Sequence, residues 1–244
     1  MCSAKKNCSN SLMHTKFLLL GDSHINALAR AAASLGFPCV GGYLGAGRLL
    51  NDYFFAVEGG AFKPLVPAMA ARLAGFLETG GLGTDLLRVN VPVLTTIGFN
   101  THNFEAAFRR EKLAMGEMEG DDFISLACFE AAVEGARRGA LEFYRTLIAA
   151  GKTIYAIPSP QRFSKGSIAV CRAFENVLLR RLSELGVQIV DVREATTRND
   201  GRLLEKFESD REGDFVHANQ AFGEIVLRRF LEISGIENAS DAVK

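Results

Sequence analysis

The sequence predicts an α/β fold, a five-stranded parallel sheet covered on both faces to give a three-layer α/β/α sandwich. Short apolar runs alternate with helix-compatible stretches, glycines punctuate most changes from one to the other, and 244 residues suit one core of this kind. Right-handed crossovers between parallel strands leave few other topologies.

The elements follow in order. Phe17-Leu18-Leu19-Leu20 is an apolar run stopped by Gly21-Asp22, and the alanine-rich stretch from Ile25 to Leu35 is closed by Gly36, which predicts strand, tight turn and helix. Pro38 to Leu44 is β-permissive and runs into Gly45-Ala46-Gly47, and a helix-compatible segment covers Pro64 to Leu77. Val93 to Ile97 is the strongest strand, because β-branched residues recur through it and Pro92 stands where no ladder donor is needed. Phe123 to Ala150 is read as helical, with Leu141, Tyr144 and Ile148 on one face and Gly151 as the stop, before a buried strand from Thr153 to Ile157. Phe174, Val177, Leu178, Leu182 and Leu185 stripe a further helix ended by Gly186, Val187 to Val190 is a last short strand, and Phe222, Ile225, Val226 and Phe230 mark a closing amphipathic helix. One domain is expected over 16–235, between a disordered tail at 1–15 and a short tail at 236–244. The charged stretch Arg109 to Asp122 reads as a solvated loop or, functionally, as a lid.

Lys plus Arg and Asp plus Glu are 28 each, so no strong net field draws the chain to nucleic acid or to an anionic membrane. Cys2, Cys8, Cys39, Cys128 and Cys171 lack C-x-x-C spacing and are odd in number, which points away from a disulfide framework or a zinc cluster and towards a reducing, cytoplasmic setting. Only Phe17 to Leu20 are continuously apolar near the start, too few for a signal-peptide core or a membrane span. Neither a metal nor a cofactor is expected: metal-ligand spacing is lacking, and Gly45-Ala46-Gly47 lacks the third glycine of a dinucleotide fingerprint and follows the wrong strand.

Ligands of open parallel sheets sit beyond the carboxyl ends of the strands, so the polar residues directly after each strand are the candidates for chemistry. The first strand offers Asp22, Ser23 and His24, the second Gly45 and Gly47, and the third Asn100 and His102; Asp214-Phe215-Val216-His217 stands before the last helix. Ser23 falls at a predicted helix start, where free N–H groups and the dipole steady negative charge, although a serine there also serves simply as a cap. His24 is a poor base for it, since neighbouring helical positions point about 100° apart. His217 is the better base, with Asp214 three residues earlier able to hold its tautomer. Asn100 could donate to a developing oxyanion, or be an ordinary turn residue after Gly98. Asp22, His24, Gly45, His102, Gln161 and Arg162 are candidates to line the same crevice and bind a polar substrate.

Taken together, Gly21-Asp22-Ser23-His24, Gly47, Gly98-Phe99-Asn100 and Asp214-Phe215-Val216-His217 resemble, in order and spacing, the sequence blocks of SGNH (GDSL-like) hydrolases. The resemblance implies a flavodoxin-like sheet, Ser23 attacking an ester carbonyl, His217 and Asp214 completing a triad, and Ser23, Gly47 and Asn100 forming the oxyanion hole, with Gly45 the alternative to Gly47. His24 stands where many members have Leu, and Thr101 where many have Asp. The expected function is hydrolysis of an acyl ester, with a small-molecule or carbohydrate ester as substrate. The alternatives are acyl transfer through the same acyl-enzyme and a non-catalytic glycan- or partner-binding module on the same fold.

Overall fold

The computed structural model describes residues 14–114, 125–163 and 167–236. Strand β1 is Phe17–Gly21, buried throughout. Its side chains alternate: Phe17 and Leu19 enter one apolar cluster, Leu18 and Leu20 the other. A strand covered on both faces has no polar side to show, which is why its sequence is an unbroken apolar run.

After β1 come α1 (Ile25–Leu35), β2 (Cys39–Tyr43), the single turn α2 (Gly47–Leu50), β3 (Phe55–Glu58), β4 (Ala61–Pro64), α3 (Pro67–Thr79) and β5 (Val93–Thr95). The chain continues through α4 (Thr101–Ala114), α5 (Leu126–Ala136), α6 (Arg138–Ala149), β6 (Ile154–Ala156), α7 (Ile168–Glu184), β7 (Gln188–Ile189), α8 (Arg193–Thr196) and α9 (Gln220–Ser234).

Five strands form one parallel sheet in the order β2-β1-β5-β6-β7, with Leu19 level with Gly41 on one side and Leu94 on the other. On one face α1 and α9 pack together, Ala27, Leu28 and Ala31 against Phe222, Val226 and Phe230. Their approach depends on Gly223, where a methyl group would overlap the Ala27 carbonyl. On the other face Leu73 of α3, Val133 of α5, Leu147 of α6 and Phe174 of α7 cover Leu18, Leu20, Val93 and Ile154. This is the three-layer sandwich expected from the sequence. From β1 the chain runs out to the edge strand β2 and returns to β5 on the opposite side of β1, so the strand order reverses there and a crevice opens at their carboxyl ends.

Several elements differ from the sequence reading. The Pro64–Leu77 helix begins at Pro67, because Pro64 is the last residue of β4 and pairs with Phe55, while Val66 is extended as a residue before proline must be. The β3–β4 hairpin was not anticipated, yet Gly59-Gly60 between Phe55-Ala56-Val57-Glu58 and Ala61-Phe62-Lys63-Pro64 is a two-residue hairpin signal. Asn100 and His102, expected on a loop, lie just before and within α4, whose Phe104 and Phe108 stack at a helical i, i+4 spacing. That helix takes in 109–114 of the charged stretch; the remainder of the expected loop or lid lies outside the described residues. The Phe123–Ala150 helix is broken at Arg137, whose backbone (φ −126°, ψ 19°) leaves helical geometry. No described helix is long and apolar enough to cross a membrane.

Candidate active site

Ser23 sits in the tight turn between β1 and α1. The turn is held by Asp22, a carboxylate only 1% exposed, whose Oδ1 accepts from the His24 N–H at 3.0 Å and from Thr96 Oγ at 3.1 Å. A side chain at Gly21 would overlap Thr96 Oγ, so the strand must end in glycine for this bracing to form. His24, not Ser23, is the N-cap of α1 and makes no side-chain cap bond. The Ser23 hydroxyl is therefore free of the capping role and meets His217 instead.

Ser23 Oγ lies 2.7 Å from His217 Nε2, and His217 Nδ1 lies 3.0 Å from both carboxylate oxygens of Asp214. Partial burial pushes the Asp214 carboxyl upward, but hydrogen bonds from the His217 and Val216 N–H groups, the Ser209 hydroxyl and the His217 ring outweigh it and hold the group well below the ordinary carboxylate range. An anion fixed there keeps the Nδ1 proton on the Asp214 side, and the Nε2 lone pair then faces the serine.

Residues 209–217 contain no helix or strand, so other contacts set their position. Glu208 bridges to Ala218, and the Ser209 N–H donates to the His217 carbonyl at 3.2 Å. Arg162 reaches across from the loop after β6, donating from Nη2 to the Asp214 carbonyl at 3.0 Å and from Nη1 to the His217 carbonyl at 3.4 Å, with Glu208 Oε2 3.3 Å away. Expected on sequence grounds to bind substrate, Arg162 has a side chain only 9% exposed and braces the His–Asp segment instead.

Gln161 also faces away from the crevice. It is buried, and its amide nitrogen donates to Glu175, 2.9 and 2.8 Å from the two carboxylate oxygens. Glu175 itself is fully buried in α7, with Thr101 Oγ at 3.4 Å and Arg193 Nη1 at 3.6 Å, and burial pushes its carboxyl up to about 7 against those favourable contacts. The folded state thus holds this proton more tightly than the unfolded chain does. Its stabilisation is complete below about pH 4.5 and is lost as pH rises through about 7. Glu175→Gln should remove that component: wild type is expected to lose up to about 3 kcal/mol relative to the variant across this window, read as a growing gap between their denaturant midpoints from pH 4.5 to 8. Equal midpoint shifts in both proteins would refute the assignment.

Gly47 and Asn100 lie together beside Asp22, the residue before Ser23. A methyl group at Gly47 would overlap the Asn100 amide nitrogen and come within 2.9 Å of Asp22 Oδ2, so glycine is needed for close approach; at Gly45 it would instead overlap the Met69 side chain of α3. Of the two glycines, Gly47 is the one beside Asn100. Gly98 turns the chain at φ 94° before Asn100, a conformation that favours glycine. Asn100 is 1% exposed, and its amide pairs with that of Asn51: Asn100 Nδ2 donates to Asn51 Oδ1 at 3.1 Å, and Asn51 Nδ2 donates to Asn100 Oδ1 at 2.9 Å. Swapping Asn51 alone would set two amide nitrogens 3.1 Å apart, so the pair reverses only together. Reversal would also turn the Asn100 oxygen, instead of its nitrogen, towards the Asp22 carboxylate. The orientation with the Asn100 nitrogen towards Gly47 favours the contact with Asp22, but it sets Asn51 Oδ1 3.2 Å from the Gly47 carbonyl and Asn51 Nδ2 3.2 Å from Arg137 Nη1, two contacts that reversal of the pair would satisfy.

His24 is buried with both ring nitrogens unpartnered, its ring 5.1 Å from that of His217 and 6.0 Å from that of His102, and burial pushes it below the ordinary histidine value against the field of Asp22. His102 is exposed on the first turn of α4. A cavity of about 420 Å³ opens beside the Ser23–His217 pair, lined among others by His24, Arg30, Arg211 and Asp214. Asn51 and Arg137 were not singled out from the sequence. Asn51 carries no motif, but Arg137-Arg138-Gly139 inside an apolar helical pattern was a readable sign of a break.

No protein-family model and no curated protein matches this chain. Among solved structures it is similar to LAE5, an alpha/beta hydrolase enzyme from the metagenome of Lake Arreo, with 17% identity over 92% of this chain and 97% of that one and a TM-score of 0.47. It is also similar to Axe2, an acetylxylan esterase from Geobacillus stearothermophilus, with 16% identity over 91% of this chain and 95% of that one and a TM-score of 0.44.

Proposed function

We propose that this protein is a serine-dependent ester hydrolase of the SGNH type. The observation that carries the reading is the unbroken line from Ser23 Oγ through His217 to Asp214, at 2.7 and 3.0 Å. A serine hydroxyl is a weak nucleophile on its own, and an imidazole aligned by a hydrogen-bonded, ionised carboxylate is the arrangement that activates it.

In the proposed reaction Ser23 Oγ attacks the ester carbonyl while His217 Nε2 takes its proton. The carbonyl oxygen becomes an anion beside the Ser23 and Gly47 N–H groups and the Asn100 amide, which stabilise it because it is more negative than the ground-state carbonyl. Collapse breaks the bond to the alcohol, which leaves with the proton from His217. Water, deprotonated by His217, then attacks the acyl-serine, and the second tetrahedral intermediate releases the acid and restores Ser23. The polar cavity beside Ser23 suits a short acyl group carried on a carbohydrate or another hydroxylated metabolite.

A fluorophosphonate probe tests the reading directly. It should label the wild-type chain at Ser23 and leave Ser23→Ala unlabelled, and p-nitrophenyl acetate should be hydrolysed by the first and not the second. An unlabelled, inactive wild type would sink the proposal.

A further inference from the structure

One further buried charge, Arg137, has no role in the reaction just described. Arg137 is 2% exposed, and among the described residues no carboxylate lies within ion-pair distance of it. Burying a cation without an anion beside it is among the costliest things a fold can do, and neutral donors are available wherever only a carbonyl needs a partner. The cost calls for a use of the charge or of the five fixed donors of a guanidinium.

Its contacts indicate which. The helix break between α5 and α6 turns the side chain inward, where the guanidinium lies 4.6 Å from the centre of the Phe174 ring. Nε donates to the Gly98 carbonyl at 2.7 Å, Nη2 to the Asn100 carbonyl at 3.1 Å, and Nη1 to Ala136 at 2.8 Å. Gly98 and Asn100 are the two ends of the turn that presents the Asn100 amide. The same break grips the other half of the amide pair, because the Gly139 N–H donates to the Asn51 carbonyl at 3.0 Å. That approach requires glycine, since a methyl group at Gly139 would overlap the Asp52 carbonyl. Arg138 adds an ion pair to Asp52 at 2.7 Å.

We propose that Arg137 is a positioning residue of the oxyanion hole, holding the Gly98–Asn100 turn and polarising it so that the Asn100 amide donates more strongly to the reacting oxygen. This rests on the hydrolase reading above. The fork fixes two carbonyls of one turn at once, which a single-point donor cannot do, and its positive charge lies behind a site where negative charge develops. It also offsets the field of Asp22, the buried carboxylate on the nucleophile side.

The test compares Arg137→Lys, which keeps the charge and loses the fork, with Arg137→Met, which loses both, each in the wild-type and in the Asn100→Ala background. The readouts are kcat and KM on p-nitrophenyl acetate and the affinity for a boronic acid that mimics the tetrahedral intermediate, on variants whose thermal unfolding shows a cooperative fold. In the wild-type background kcat should fall about tenfold for Lys and about 10²-fold for Met, with KM within about threefold and boronate affinity falling in parallel with kcat. In the Asn100→Ala background both losses should shrink to under about threefold, because the residue acts through an amide no longer there. Equal losses in both backgrounds, unchanged kcat, or a rise in KM alone would overturn the proposal. Should Arg137→Met not fold, the Lys pair decides by the same criterion. A wild type that neither hydrolyses ester nor takes the fluorophosphonate would remove the hydrolase reading and this proposal with it, whereas a labelled, active wild type with additive losses removes this proposal alone.

Discussion

Ser23→Ala and His217→Ala should each abolish nearly all esterase activity, on the order of 10⁶ in kcat, and the double variant should be hardly worse than either. The reason is geometric. With Oγ 2.7 Å from Nε2, the two groups would perform one step of the proposed reaction together: without the base the hydroxyl would keep its proton, and without the hydroxyl the base would have nothing to deprotonate. Fold and substrate binding should be retained, because the Ser23 side chain braces nothing and the His217 backbone is held by Ser209 and Arg162. Steady-state kinetics of the three variants check this, and multiplicative losses would mean that the residues act in separate steps.

Asn100→Ala should lose about 10²–10³ in kcat while KM changes little. The amide faces Gly47, where the proposed reaction would form the oxyanion, so its hydrogen bond would strengthen only as the carbonyl oxygen gains charge. The backbone N–H groups of Ser23 and Gly47 remain, and the variant should therefore still react with a fluorophosphonate, more slowly. Removal of the side chain also orphans the Asn51 amide; Asn51 is only partly buried, so water can replace its lost partner and the fold should survive. Wild-type kcat, or a rise in KM alone, would make Asn100 a turn or binding residue.

What could be read from the amino acids is what local chemistry controls. The apolar run at Phe17–Leu20, the alanine-rich stretch ended by Gly36 and the β-branched run at Val93 define elements whose neighbours in sequence are enough to specify them. Their alternation specified the sandwich, and polar residues placed just past strands marked the crevice. The residues whose contacts the sequence did not show depend on partners far along the chain. Arg162 reads as a crevice cation until the 209–217 segment, about 50 residues later, is folded against it. Gln161 reads as a candidate to line the crevice, while in the fold its amide is turned to the buried Glu175 of α7. Arg137 reads as one surface arginine of a long helix; Arg138-Gly139 beside it hint at a break, but nothing local shows that the break sends a guanidinium beneath the Gly98–Asn100 turn.

By itself, then, the sequence determined the chain order of the five strands of the main sheet and the polar residues that close them, since periodicity and turn chemistry act within a few residues. Only the tertiary structure decided that Ser23 meets His217, 194 residues away in the chain, that Gly47 and not Gly45 lies against Asn100, and that a buried arginine stands behind that amide. Those are statements about ångström distances between side chains on different elements, and such distances follow from how the helices and the sheet pack, which no local pattern encodes.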